Sequence, residues 1–201
     1  MDLVSKTIQF IEQYHASDHS GHGTDHIMRV FHTARQLAEA CEEPVDELVL
    51  QLAALLHDVD DHKINPTGGA ARKFLESIQT DSHIVETVLD TISPISFSVS
   101  GPHPHFETIE QKLLSDADKL DAIGAIGICR TIAYGTAHHR PLYGEPGKDT
   151  LSHFYDKLLL LKDSMQTDAG RIEAERRHQT METFLNEFYH ETGEKERITT
   201  K

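Results

Sequence analysis

The 201-residue sequence contains only two cysteines, Cys41 and Cys129, too few and too isolated for a disulfide framework or a CxxC metal site. They read as small buried apolar residues with free thiols, in a reducing compartment. Basic residues are scarce as well: 19 Lys+Arg stand against 33 Asp+Glu, a formal charge of −14. Affinity for DNA or RNA rests on Lys and Arg neutralising phosphates, so a nucleic-acid polymer is excluded as a partner. Long apolar runs are missing. The most apolar window, residues 48–56, is far too short to span a bilayer. The N-terminal stretch, broken by Asp2, Lys6 and Glu12, lacks the apolar run and cleavage site of a secretory signal. No segment alternates with a period of two between hairpin turns, which argues against β-sheet. The expectation is a cytoplasmic protein with no membrane partner.

With 38% apolar and 26% charged residues, the composition is that of an ordinary globular protein, long enough for a sizeable core. The apolar spacing is helical almost throughout. Ile27, Val30, Phe31, Ala34, Leu37, Ala38 and Cys41 follow the i, i+3, i+4, i+7 rule of one helix face, with Thr24 or Asp25 as the expected N-cap. Residues 3–14 place Val4, Ile8 and Ile11 on one side. Pro44 is placed to start a third helix running through Leu48, Leu52, Leu55 and Leu56. Further helices are expected at 69–78, 82–91, 108–120, 122–134, 151–165 and 169–189. No repeat or composition break divides the chain, so the reading is all-α: a helical bundle over 1–201 as a single domain.

Two stretches resist helix formation. Residues 93–107 hold three prolines and a glycine; residues 135–149 hold two prolines and three glycines, and long loops of this kind in a compact domain are often functional. They carry His103, His105, His138 and His139, four of an unusual 15 histidines. Histidine is the commonest metal ligand. A histidine-rich metal store would need clustered histidines, yet His138-His139 is the one adjacent pair.

The adjacent pair His57-Asp58 closes the apolar helix at 48–56. An imidazole and a carboxylate at the end of a buried helix are costly to bury without compensation, and a divalent cation compensates both. Taken alone, the pair fits a hydrogen-bonded core histidine beside a turn aspartate more readily than a site. His26 sits one position before the apolar stripe of its helix, and Asp118 lies in an otherwise apolar segment. Together the four would form a mixed N/O ligand set in a helical bundle. Spacing does not single them out from the other histidines and carboxylates.

Here the sequence resembles a known family. The order His26, His57-Asp58, Asp118 is similar to the H…HD…D signature of the HD-domain superfamily of metal-dependent phosphohydrolases. The segments GTDHIMRV (23–30), AALLHDVDDHK (53–63), DADKLDAIGAIGICRTIAYG (116–135), HFYDKLLLLKDSMQT (153–167) and AERRHQTMETFL (174–185) resemble its compact, single-domain bacterial branch, over about residues 20–190. The DADKLDAIGAIG block is the most specific of these. The resemblance implies an all-helical HD-type domain and one divalent ion held by His26, His57, Asp58 and Asp118. Two imidazoles and two carboxylates suit Mn²⁺, Co²⁺, Ni²⁺ or Fe²⁺ better than Mg²⁺. They leave two octahedral positions for a water and a substrate oxygen.

It also implies an acidic residue just past the HD pair to orient or deprotonate the attacking water: Asp61 first, then Asp60. A solvated acidic turn accounts for both equally well. Lys63 and Lys119, beside the implied ligands, are placed to hold a phosphate as point charges; surface ion pairing is their alternative use. Asp121, three residues past Asp118, is placed to contact a sugar hydroxyl or brace a ligand histidine. His138 and Arg140 offer a basic point for a polyphosphate tail or base. Arg176, Arg177 and His178 resemble a family block, with Arg176 on a solvated face. Gly124 and Gly127 suit a close helix contact better than a nucleotide loop.

The expected function is a phosphohydrolase acting on a small nucleotide, foremost a nucleoside or deoxynucleoside triphosphate pyrophosphohydrolase. The substrate step rests on the resemblance. A nucleoside monophosphate phosphatase or a cyclic-nucleotide phosphodiesterase would use the same metal and water, and a non-catalytic metal- or nucleotide-binding regulator could keep the scaffold. The presence of all four implied ligands with Asp60-Asp61 favours the enzyme.

Overall fold

The most apolar stretch of the sequence becomes the centre of a helical layer. In the computed structural model, which describes residues 2–14, 23–61, 65, 67–95 and 105–195, every regular element among the described residues is helical. The chain divides into two compact units, Met1–Ala117 and Asp118–Lys201.

The first unit contains α1 (Leu3–Tyr14), α2 (Thr24–Glu39), α3 (Glu47–Leu56), α4 (Ala70–Ser77), α5 (Ser82–Ile92) and most of α6 (Ile109–Asp121). Helix α3 packs against α1, α2 and α5, while α4 packs on α5. A helix apolar on all sides has to be enclosed, and Leu50, Leu52, Ala53, Ala54, Leu55 and Leu56 are all buried. Phe10 of α1 stacks on Phe74 of α4 with ring centroids 4.0 Å apart.

Two helix starts differ from expectation. Helix α2 is capped by Gly23, not by Thr24 or Asp25, because the Gly23 carbonyl already accepts from the His26 and Ile27 amides. Pro44 does not open α3. The helix begins at Glu47, where the Asp46 side chain accepts from the Val49 amide at 3.0 Å and Glu110 accepts from the Asp46 amide at 2.8 Å. The side-chain cap satisfies an otherwise orphaned donor, which proline cannot do.

The second unit contains the end of α6, then α7 (Gly124–Ala137), α8 (Ser152–Asp156), a 3-10 helix (Leu158–Ser164) and α9 (Asp168–Thr192). Helix α9 packs on α7 and on the 3-10 helix. The expected single helix over 151–165 is broken at Lys157, whose φ of −143° and ψ of −58° leave the helical region. The chain then winds in three-residue turns, in which Leu158 is buried and Leu160 exposed. Helix α9 starts on Thr167, which accepts from the Gly170 amide, and stops at Gly193 with φ 69°. The cysteine expectation is corrected: Cys41 is only half-buried and Cys129 is exposed.

Glu173 on α9 accepts hydrogen bonds from both Arg176 and Arg177. These guanidinium groups, Arg176 foremost, pull its carboxyl from the ordinary 4.5 down to about 2. A carboxyl depressed in the folded state stabilises the fold above its unfolded value and loses that contribution as pH falls through its folded value. We therefore expect Glu173→Gln to remove a pH-dependent part of stability between about pH 4.5 and pH 2. Urea titrations at stepped pH check this, and curves parallel to wild type across that window would refute it.

Candidate metal centre

The first unit brings three of the residues implied as ligands into one cluster. His26 lies in the first turn of α2, His57 is the C-cap of α3 and Asp58 follows it; one ligand atom from each lies within 4.8 Å of the others. Both imidazoles are buried, and the Asp58 side chain is 15% exposed. The His26 and His57 rings meet edge to face at 5.4 Å.

The hydrogen bonding of His57 sets its chemistry. Its Nδ1 lies 2.8 Å from the Ala54 carbonyl; a carbonyl only accepts, so Nδ1 carries the proton. In the neutral ring, Nε2 then holds the lone pair, and it faces Asp58 Oδ1 at 3.5 Å. His26 Nε2 approaches Asp58 Oδ2 at 3.3 Å. A nitrogen lone pair turned toward a carboxylate in a buried setting is the donor arrangement that a divalent cation completes. The residues present fit a metal.

The other expected site residues divide by unit. In the first, Asp61 follows the cluster half-buried, with its amide donating to the Asp58 carbonyl at 3.0 Å. Asp60 has a different job. Its Oδ1 accepts from Asn65 Nδ2 at 2.8 Å and from the Ala70 amide at 2.7 Å, while Oδ2 accepts from the Ala71 amide at 3.2 Å. Both oxygens serve the start of α4, where a negative charge also favours the helix dipole. Asp60→Ala is expected to cost about 1 kcal/mol of stability, measurable by urea denaturation. An unchanged midpoint would show that the cap contributes nothing. Lys63 lies outside the described residues.

In the second unit, Asp118 is half-buried in the last turn of α6. Lys119 Nζ donates to the Ser164 carbonyl at 3.1 Å, tying α6 to the end of the 3-10 helix. Asp121 is buried and pairs with Arg130 of α7. The pairing was not legible in the sequence, since it spans a helix break. His138, expected on a loop, caps α7, stacks on Tyr134 at 3.8 Å, and its Nδ1 lies 2.8 Å from the Tyr134 carbonyl. Arg140 is exposed, its amide bonded to the Gly135 carbonyl, and His139 takes a positive φ of 53°. His105 lines a cavity of about 580 Å³ with Asp90, Glu107 and Glu110; His103 lies outside the described residues. Among the described residues no helix is long and apolar enough to cross a membrane.

An all-helical fold in which a histidine and a His-Asp pair from separate helices converge defines the HD-type metal-dependent phosphohydrolases. The chain belongs to the HD domain family, which it matches over residues 23–123. Among known proteins it is 33% identical to YpgQ of Bacillus subtilis over 183 residues, covering 89% of this chain and 88% of that one. An HD-superfamily hydrolase from Bacillus thuringiensis superposes with a TM-score of 0.79 at 39% identity, over 96% of this chain and 97% of that one. The crystal structure of Bacillus subtilis YpgQ in complex with ADP superposes with a TM-score of 0.78 at 30% identity, over 94% and 97% of the two chains.

Proposed function

We propose that this phosphohydrolase acts in the cytoplasm on nucleoside or deoxynucleoside triphosphates, releasing pyrophosphate, with residues 1–201 as a single HD-type helical domain whose motifs lie within about 20–190. The observation that carries the reading is the His26–His57–Asp58 cluster with both imidazoles buried, in which the Ala54 carbonyl turns the His57 lone pair toward Asp58. A nucleotide as substrate is supported by the ADP complex of the related YpgQ.

In this reading His26, His57, Asp58 and Asp118 hold one divalent ion, with two imidazoles favouring Mn²⁺, Co²⁺, Ni²⁺ or Fe²⁺ over Mg²⁺. When bound, such an ion supplies an acidified water and a polarised phosphoryl oxygen. The Asp61 carboxylate takes the proton from the attacking water, a role that needs hydrogen-bond reach to that water. Lys63, Lys119, Asp121, His138 and Arg140 remain the proposed substrate contacts. Of these, Lys119 and Asp121 already hold Ser164 and Arg130, so they act by keeping the end of α6 in place as much as by touching substrate. The ion and the lysines offset the −14 charge locally, which lets an acidic protein take a polyanionic nucleotide.

The test is a panel of nucleoside tri-, di-, mono- and cyclic monophosphates against Mn²⁺, Co²⁺, Ni²⁺ and Mg²⁺, with products identified. Pyrophosphate from triphosphates is the expected result. Orthophosphate from monophosphates would replace the reading with a phosphatase, ring opening of cyclic nucleotides with a phosphodiesterase, and silence throughout with a nucleotide-binding regulator. Asp61→Ala is expected to lower kcat about 100-fold or more, the usual scale for a lost general base, in single-turnover assays with saturating metal. Wild-type turnover in that variant would remove Asp61 from the reaction.

A further inference from the structure

We infer that Arg177 is a positioning residue: by clamping the end of α6, it sets the Asp118 carboxylate in the orientation needed for metal binding. This rests on the reading of Asp118 as a ligand.

The last carbonyls of a helix have no partner within it. At the end of α6, Arg177 Nη1 reaches from α9 to donate to the Leu120 carbonyl at 2.6 Å, across 57 residues of sequence. Its Nε donates to Glu173 Oε1 at 2.7 Å, so the guanidinium is fixed at both ends. Glu173 is well suited to that anchor, because its depressed pKa of about 2 keeps it charged at any physiological pH. A cation held at a helix C-terminus also interacts favourably with the helix dipole. Unlike Arg176, whose side chain is 68% exposed, the Arg177 side chain is only 19% exposed.

The chain around the clamp is shaped to admit it. Gly124 has φ +76°, and a Cβ there would lie 3.0 Å from both Cβ and Cγ of Arg177. Glycine therefore supplies both the left-handed turn and the room for the arginine stem. A Cβ on Gly127 would meet the Ala122 carbonyl oxygen at 2.2 Å, so α7 starts pressed against the turn that ends α6. The Ala122 and Ile123 amides tighten that turn onto the Lys119 and Leu120 carbonyls. Asp118 sits immediately before this locked segment. Its side chain leaves a backbone that the Leu120 carbonyl, and hence Arg177, holds in one orientation. An arginine serving only to solvate α9 would have no reason to cover a glycine and to donate to a distant main-chain oxygen. Groups that orient metal ligands in this indirect way typically change metal affinity tenfold to a hundredfold when lost.

The test is calorimetric titration of metal-free protein with Mn²⁺, for wild type, Arg177→Met, Arg177→Lys, Glu173→Gln and Asp118→Ala, alongside thermal melts of the same metal-free samples. Arg177→Met is expected to weaken Mn²⁺ binding about tenfold to a hundredfold. Glu173→Gln, which leaves the arginine in place but loosens its anchor, should show a smaller loss. Arg177→Lys should recover part of the affinity, since an ammonium can reach one of the two acceptors but lacks the planar fork for both. Should Arg177→Met fail to fold, the Glu173→Gln and Arg177→Lys titrations carry the test. Lowered melting temperatures with wild-type Mn²⁺ affinity in the Arg177 and Glu173 variants would overturn the proposal and leave a purely structural clamp. Wild-type affinity in Asp118→Ala would overturn the ligand reading beneath it; a weakened Asp118→Ala beside unaffected Arg177 variants would overturn the clamp alone.

Discussion

His57→Ala and Asp58→Ala are each expected to lower kcat/KM by on the order of 1000-fold or more, since the metal supplies several kcal/mol of transition-state stabilisation and each ~1.4 kcal/mol is a factor of ten. The fold should survive. Removing the His57 imidazole costs its hydrogen bond to the Ala54 carbonyl, about 1–3 kcal/mol for a buried acceptor left unpaired, against a total of about 5–15 kcal/mol for a typical domain. Helical circular dichroism should therefore match wild type. A ligand that binds only the native state at 100 times its Kd adds about 2.7 kcal/mol, so Mn²⁺ should raise the wild-type melting temperature and leave the two variants flat. Full activity in either variant, or an undiminished Mn²⁺ shift, would refute the centre.

Leu55→Ala is expected to cost about 2–5 kcal/mol, the range for emptying a closely packed leucine site. Leu55 is fully buried in α3, the helix against which α1, α2 and α5 all pack, so little surrounding structure is free to close the void. The same helix ends in His57. The loss should consequently appear twice, as a lower urea midpoint and as weaker Mn²⁺ binding when the end of α3 loosens. A change below about 1 kcal/mol would mean that the site collapses around the smaller side chain and that α3 is not the rigid support described.

How far the sequence could be read depended on the range of the interaction involved. The apolar periodicity of residues 3–14, 27–41 and 82–91 reports on one helix at a time, and helices stand there as Leu3–Tyr14, Thr24–Glu39 and Ser82–Ile92. The starts of α2 and α3 differ from the expectation because Gly23 caps through its backbone carbonyl, which residue type does not specify, and because the Asp46 side chain, not Pro44, opens α3. The 151–165 segment has ample leucine for a helix, yet the chain leaves the helical region at Lys157 and winds on as a 3-10 helix, a break that the apolar spacing does not mark. Asp60 and Asp61 are indistinguishable as neighbours in a string. They separate only when Ala70 and Ala71 come within reach of one of them.

The sequence by itself determined the helical class, through the 3.6-residue spacing of its apolar positions, and the family, through its H…HD…D order and the DADKLDAIGAIG block. Tertiary structure decided which polar groups face one another: His26 and His57 across Asp58, Asp121 with Arg130, and Arg177 on the Leu120 carbonyl. Helix formation is local and is written in each segment. A ligand cluster or a side-chain clamp exists only when helices far apart in sequence pack, because hydrogen bonds and coordination act over a few ångströms and the sequence order carries no such distance.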